Sequence, residues 1–235
     1  MLQGLSDAQL AALLPTMTEV PLLAGQILQE PGQRVEDVYF PLYGVISLLV
    51  PLGPVEVVEV ATIGREGVLG MTVFLGGTAP TEHACVQVAG LALTMTAEAF
   101  AAEVHQLDGP LESRLRRYAQ TLVTQLARNA ACNRSHNVRQ RAARWLLTTA
   151  DRTDGLSFEL TQQDLAQMLA VRRASVNEVA QALSHDGSIT YTRGVVEILD
   201  RDRLQSHSCD CYLVLARATA AALRPSLPET SPVNR

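Results

Sequence analysis

The stretch from Thr161 to Leu183, TQQDLAQMLAVRRASVNEVAQAL, carries two short amphipathic patterns separated by a tight break, and it constrains the chain more than any other feature. Thr161 followed by Asp164 is a capping-box signature that opens a first helix. Leu165, Met168 and Leu169 supply its apolar stripe, and Ala166 is small enough to let a second helix cross closely. Val171 falls in the turn. Val176, Val179, Ala180 and Leu183 then share one helical face at i, i+3, i+4, i+7 spacing. Ala174, Asn177, Glu178 and Gln181 point the opposite way, flanked by Arg173 on the first turn. An apolar back, a polar front and an arginine-bearing start suit a helix laid in the major groove of DNA, here 171–184.

Paired amphipathic helices also occur in ordinary helical domains, so the flanking sequence decides. Residues 188–199, SITYTRGVVEIL, are two β-rich runs around Arg193-Gly194, where glycine accepts the positive φ of a tight hairpin. A hairpin with Arg193 at its tip can reach a flanking phosphate. Residues 137–150 predict a preceding helix with Ala142, Trp145, Leu146 and Thr149 on its buried side. Residues 157–160 give a short strand able to pair with the hairpin. Together these predict a winged helix-turn-helix over 136–205.

Net charge hides the agreement of charge with this reading. The chain carries −5 overall, with a pI near 5.5. Yet residues 1–112 hold Arg34 and Arg65 against thirteen carboxylates, while 113–235 hold seventeen arginines against eleven, so the halves stand near −11 and +6. Lysine is absent. Arg116, Arg117, Arg128, Arg134, Arg139, Arg141 and Arg144 follow one another with no acidic residue between them. The planar guanidinium suits phosphate and guanine edges. An acidic front half limits indiscriminate binding to polyanions.

The length of 235 residues allows two domains, and 47% apolar residues suffice for packed cores. The start MLQGLSDAQL lacks a basic region and meets Asp7 early, so no signal peptide is expected. The apolar stretch 40–60 is broken by Pro41, Pro51, Pro54 and Glu56, which favours strands over a membrane span. Four cysteines without a secretory signal point to reduced thiols in the cytoplasm.

The front half reads as short strands at 19–22, 26–29, 37–40, 44–50, 55–62, 82–88 and 91–96, punctuated by Gly25, Pro31-Gly32, Gly53-Pro54 and Gly76-Gly77. This spacing predicts a rolled antiparallel sheet over 1–108, able to enclose one small ligand. After Gly109-Pro110 a long helix is expected over 109–135. Its Leu111, Leu115, Tyr118, Leu122, Leu126 and Asn129 recur at three- and four-residue steps, close to a coiled-coil seam. The seam can pack on its own β domain or pair with a second copy. Pairing is favoured, because two readers fit a two-fold-symmetric operator. Residues 206–235 form an extension whose Pro/Ser/Thr-rich end, from Pro225, is expected to be disordered.

This α+β order of β-roll, long central helix and winged helix-turn-helix resembles the Crp/Fnr family of bacterial transcription regulators across roughly residues 10–205. The most specific portions are Val38-Tyr39-Phe40-Pro41, the run VATIGREG from Val60 to Gly67, and 160–183 followed by 194–200. The resemblance implies that Arg173 reads a base, with guanine its natural partner, and that Gln163, Arg172 and Ser175 touch phosphate. Asn177, Glu178 and Gln181 would face base edges, and Arg193 the backbone. It also implies double-stranded DNA and a homodimer as partners, with RNA polymerase a further partner of an activator.

Departures from the family matter. Glu178 stands where cyclic-AMP-responsive members carry a second arginine, and a carboxylate there accepts from a cytosine amino group while repelling phosphate. Ala170 replaces the glycine common in the turn, implying a small strain or a slightly different turn without breaking the motif. In the sensor, Gly70 is followed by Met71 rather than the glutamate that holds a ribose. The segment Thr81-Glu82-His83-Ala84-Cys85 contains no arginine for a cyclic phosphate. Gly70, Met71, His83 and Ala84 would line the pocket, and a buried phosphate lacking its countercharge is poorly stabilised there. No tight cyclic-AMP binding is expected, and the effector is left open.

No cofactor is expected either. The first cysteine is Cys85, so the N-terminal cluster of the oxygen-sensing branch is missing. Cys85, Cys132, Cys209 and Cys211 read as too dispersed for a cluster from one domain, and no metal site is expected: Cys209-Asp210-Cys211, with His207 nearby, reads as a structural tail segment packed on the domain, with a metal or redox element as the lesser alternative. No phosphate loop or nucleophile elbow supports an enzyme, and Glu66 and Glu82 read as ordinary loop or edge carboxylates. The competing function is a ligand-sensing β-roll that regulates a protein partner without touching DNA.

Overall fold

A computed structural model of the chain describes residues 1–2, 5–53, 57–106 and 110–223. The expectations for the tail from Pro225, for Gly109 and for the start of the strand at Val55 lie outside the described residues.

The chain opens with α1 (Asp7–Leu13), whose Ser6 and Gln9 form a reciprocal capping box. An antiparallel sheet follows, built from β1 (Thr18–Leu22), β2 (Ile27–Gln29), β3 (Asp37–Pro51), β4 (Val57–Ile63) and β5 (His83–Thr96), with α2 (Met71–Phe74) between the last two. The strand order is β1-β5-β3-β4, and β2 pairs with the other end of β5.

The structure corrects the expected strand count. The runs at 37–40 and 44–50 are one strand, as are 82–88 and 91–96. Gly44 and Gly90 mark bends here, not breaks. The β3–β5 register shifts between Pro41 and Ile46, and Gly44 adopts φ 98°. A Cβ on Gly90 would collide with the Tyr43 carbonyl oxygen. Two long strands therefore fold over together where their backbones nearly touch, which gives the roll its closed shape.

The helical half begins with α3 (Ala97–Gln106) and continues through α4 (Pro110–Ser135) and α5 (Val138–Ala150). Next come β6 (Ser157–Glu159), α6 (Gln162–Met168), α7 (Arg173–His185), β7 (Ile189–Thr192) and β8 (Val195–Ile198). The described chain ends with α8 (Arg201–Ser206) and α9 (Cys211–Leu223), the latter lying along α4. No helix among the described residues is long and apolar enough to cross a membrane.

The roll's core contains Phe40, Ile46, Ala61, Ile63, Ala84, Val86 and Phe100, closed on one side by Leu111, Leu115 and Tyr118 of α4. The second core is not confined to the helical half. Val45, Leu49 and Val88 of the roll join Trp145, Leu146, Phe158, Leu165 and Val196 in one apolar cluster. The two halves thus share packing, the condition for a change in one to be felt in the other.

The backbone contact at Gly90 makes a direct prediction. Gly90→Ala should lower stability by about 1–3 kcal/mol, because the methyl group meets main chain that has no rotamer to yield. A thermal melt followed by far-ultraviolet circular dichroism should then show a midpoint several degrees lower, and an unchanged midpoint would refute the close approach.

Candidate nucleic-acid interface

α6 starts where the sequence places it. Thr161 is its N-cap and accepts from the Asp164 backbone N–H at 3.1 Å, while Asp164 accepts from the Thr161 backbone N–H at 3.1 Å. Its end is a Schellman turn: Val171 N–H donates to Ala166 O at 3.0 Å and Ala170 N–H to Gln167 O at 3.1 Å. Ala170 adopts φ 49°, the left-handed conformation that glycine enters freely, so its Cβ costs on the order of 1 kcal/mol. The strain expected of alanine in this turn is present.

From that turn α7 emerges with Val176, Ala180 and Leu183 buried. Arg172, Arg173, Ala174, Glu178 and Gln181 are exposed, as is Gln163 on α6. Ser175 and Asn177 are half-buried, and the Asn177 Oδ1 accepts from Gln162 Nε2 at 3.3 Å. Behind α7 the hairpin closes with a two-residue turn: Arg193 has φ 52° and Gly194 φ 80°, the pairing a type I′ turn requires. β6 pairs with β8, with Phe158 opposite Val196. Leu160 N–H donates to Gly194 O and Tyr191 Oη to Leu160 O, both at 2.8 Å, which ties the wing to the start of α6. The result is an open cleft lined by Arg173 from the helix, Arg193 from the wing, and Thr161, Gln162 and Tyr191 between them.

Residues 140–207 match the Crp-like helix-turn-helix domain. Among solved structures, FixK2 from Bradyrhizobium japonicum superposes with a TM-score of 0.68 at 14% identity, over 82% of this chain and 98% of that one. CLP from Xanthomonas campestris gives 0.63 at 13%, over 82% and 99%. A transcriptional regulator of the CRP family from Thermus thermophilus, TTHB099, gives 0.61 at 19%, over 80% and 96%. No curated protein sequence matches the chain. The chain has the Crp/Fnr-type DNA-binding regulator fold.

Within this Crp/Fnr-type frame the arginine-rich run divides in two. Arg116, Arg128 and Arg134 are exposed, but Arg141 and Arg144 are buried. Arg141 Nη2 donates to Leu169 O, holding the C-terminal end of α6, where a cation is favoured. Arg139 pairs with Asp186 at 2.6 Å. Arg139 and Arg141 thus bond within the helical half, and Arg144 is buried.

The expected central-helix seam is also divided. Leu111, Leu115 and Tyr118 are buried in the roll's core, and Asn129 Nδ2 donates to Val60 O at 2.8 Å. Leu122 is half-buried on the same side, while Leu126 is 40% exposed. A three-four repeat cannot say which partner covers it, and here the chain's own sheet covers most of it.

The four residues expected to line a sensor pocket are not brought together. Gly70, at φ 142°, lies where a Cβ would be 2.7 Å from Val38, and Met71 and Ala84 belong to the packed core. His83 shares the opposite face of β5 with Cys85, and both line a cavity closed by Asp164, Gln167 and Met168 of α6.

Sequence reasoning missed the contacts that bind roll to reader. Glu66, expected to be an ordinary carboxylate, is buried and pairs with Arg152 at 2.6 Å. Arg65 Nη2 donates to Thr153 O at 2.8 Å. Glu59 is fully buried on β4 and accepts from Trp145 Nε1 at 2.9 Å and from Ser47 Oγ at 2.7 Å. The cysteines need correction too: Cys132, Cys209 and Cys211 form one buried cluster. His207 is not part of it, since its Nε2 lies 2.8 Å from Asp186.

Burial pushes the Glu59 carboxyl up from 4.5 to about 7, partly offset by the hydrogen bonds from Ser47 and Trp145 and by Arg144 and Arg152. The folded state therefore holds this proton more tightly than the unfolded chain, so the Glu59 contribution falls as pH rises from about 4.5 to about 7. Trp145 is the only tryptophan and reports directly on this contact. Its fluorescence should titrate near pH 7, and Glu59→Gln, which keeps an acceptor for the indole N–H, should abolish that step and flatten stability between pH 5 and 7. A titration that persists in Glu59→Gln would assign it elsewhere.

Proposed function

We propose that this chain is a sequence-specific, cytoplasmic transcription regulator that binds a two-fold-symmetric operator as a homodimer and works by binding, not catalysis. The observation that carries this reading is the cleft in which Arg173 and Arg193 face outward together. Arg173 would bond guanine O6 and N7, and Glu178 and Gln181 would meet neighbouring base edges. Gln163, Arg172, Ser175 and Arg193 would hold phosphates. Asn177 Oδ1 is engaged by Gln162, which leaves its Nδ2 to donate to a base edge. RNA polymerase is the further partner where the operator position makes the regulator an activator.

Pairing is assigned to the outer stripe of α4. Gln120, Val123, Ala127 and Ala130 are spaced three and four residues apart and are solvent-facing or nearly so, with Leu126 beside them. This revises the seam from Leu111, Leu115, Tyr118 and Asn129, which pack on the roll. The effector is not cyclic AMP: Met71 and Ala84 fill the space with apolar groups and supply no countercharge. An effector would act by altering the Glu59–Trp145 and Glu66–Arg152 contacts, with 134–139 as the joint on which the reader turns.

A gel shift on the promoter of the chain's own gene tests the reading. Binding should weaken steeply between 50 and 200 mM salt. Arg173→Ala should cost about 1–3 kcal/mol and relax preference at one base pair, whereas Arg193→Ala should weaken all sequences alike and reduce the salt slope by about 1. Equal discrimination by Arg173→Ala and the parent would refute the base-reading role.

For the pairing face, Val123→Asp should shift the chain from dimer to monomer in sedimentation velocity without unfolding it, because Val123 is 58% exposed. A variant that remains a dimer would place the interface elsewhere.

A further inference from the structure

Cys132 and His136 stand four residues apart at the end of α4, where the His136 N–H still donates to Cys132 O at 3.0 Å, so both side chains share one helical face. Cys209 and Cys211 arrive from the turn between α8 and α9. Cys132 Sγ lies 3.6 Å from Cys209 Sγ, and Cys211 Sγ lies 3.8 Å from His136 Nδ1. All four ligand atoms fall within 4.8 Å of one another. The three cysteines are buried and the histidine is half-buried.

The geometry points to a tetrahedral zinc site with Cys132, His136, Cys209 and Cys211 as its ligands. A zinc ion bonded to thiolates at about 2.3 Å places neighbouring sulfurs about 3.8 Å apart, so the cluster needs only slight contraction. Three soft thiolates and an imidazole select zinc over hard cations. An iron–sulfur cluster distributes its thiolates over several irons and would hold them farther apart than this group stands.

The charge balance is in place as well. On binding, each of the three thiols loses its proton to solvent, and the ion with three thiolates and a neutral imidazole carries −1. Arg144 lies close enough to act on the Cys132 sulfur, and Arg141 on those of Cys132 and Cys209. Both arginines are buried, neither forms a salt bridge among the described residues, and the Nε of each has no hydrogen-bond partner there. Two buried cations beside three sulfurs are the countercharge an anionic metal centre needs.

The ion would pin the end of the central helix to the start of α9 at the joint where Asn137 caps α5. This assignment goes beyond DNA reading and does not depend on it.

Metal analysis of the full chain, purified anaerobically with a thiol reductant, tests it. One zinc per chain is expected, lost in Cys209→Ser and His136→Ala, retained in His136→Cys, and unaffected by Cys85→Ser, whose sulfur lies outside the cluster. Because the serine variants can fail by misfolding, the unmutated apo chain is titrated with Co²⁺ in parallel. Thiolate-to-cobalt charge transfer with the visible bands of tetrahedral cobalt, saturating at one equivalent, supports the site. No retained metal together with no cobalt spectrum overturns it, as do loss of metal in Cys85→Ser, inorganic sulfide with iron, or a Cys132–Cys209 disulfide in the reduced preparation.

Discussion

The buried ion pair between Glu66 and Arg152 is the contact on which the arrangement of this molecule depends. Removing two charges from water costs several kcal/mol per ion, so such a pair persists only where further bonds complete it. Here Arg152 also donates to Thr62, and Glu66 accepts from the Gly64 N–H at 3.3 Å. Gly64 has no side chain because the Arg152 stem occupies the place where one would be. Gly67 likewise leaves room for Tyr118 of α4, whose hydroxyl fills the position of a Cβ. The run Gly64-Arg65-Glu66-Gly67 is therefore the point where one loop of the roll receives both the central helix and the reader. Its two glycines are explained by what packs on them.

What was legible in the sequence was what the chain decides locally. The capping box at Thr161, the two-residue turn at Arg193-Gly194 and the buried face of α5 each depend on residues a few positions apart. The bent strands were less legible, since a glycine at which a strand folds over another looks like one that ends a strand. Gly44 and Gly90 are told apart from turn glycines only by the backbone opposite them. Contacts between the halves were not legible at all. Glu66 pairs with a residue 86 positions away, and no periodicity connects them. The cysteine cluster left a faint signal, Cys132-x-x-x-His136 on a helix and Cys209-x-Cys211, but joining the two halves required knowing that α9 returns to the end of α4.

Counting arginines overstated the basic surface for a related reason. Composition assigns every guanidinium to solvent, whereas Arg141, Arg144 and Arg152 are among the most buried polar residues in the chain. A charge of +6 in the second half of the sequence is thus partly internal, serving the end of α6, the cysteine cluster and Glu66. At the cleft between α7 and the wing the exposed guanidinium groups are those of Arg172, Arg173 and Arg193, while Arg116, Arg128 and Arg134 are exposed along α4.

The central helix packs on the roll along one face and leaves the opposite face exposed. A three-four repeat drawn on one face of α4 is matched by a second on the opposite face, the inner stripe through Leu111, Leu115, Tyr118 and Asn129 and the outer through Val123, Ala127 and Ala130. The inner stripe binds the helix to β4, as Asn129 on Val60 O and Gln125 on Thr62 make plain. The outer stripe is free for the proposed partner helix. A displacement of β4 would therefore move α4 on one side and disturb the pairing face on the other. The same strand carries Glu59, which meets Trp145 directly, so β4 touches the reader through α5 as well as through the helix. Two routes leave one strand and arrive at the same domain, one along α4 to its joint with α5 and one across the Glu59–Trp145 contact. A movement of the strand that left the helix-turn-helix domain in place would have to break both.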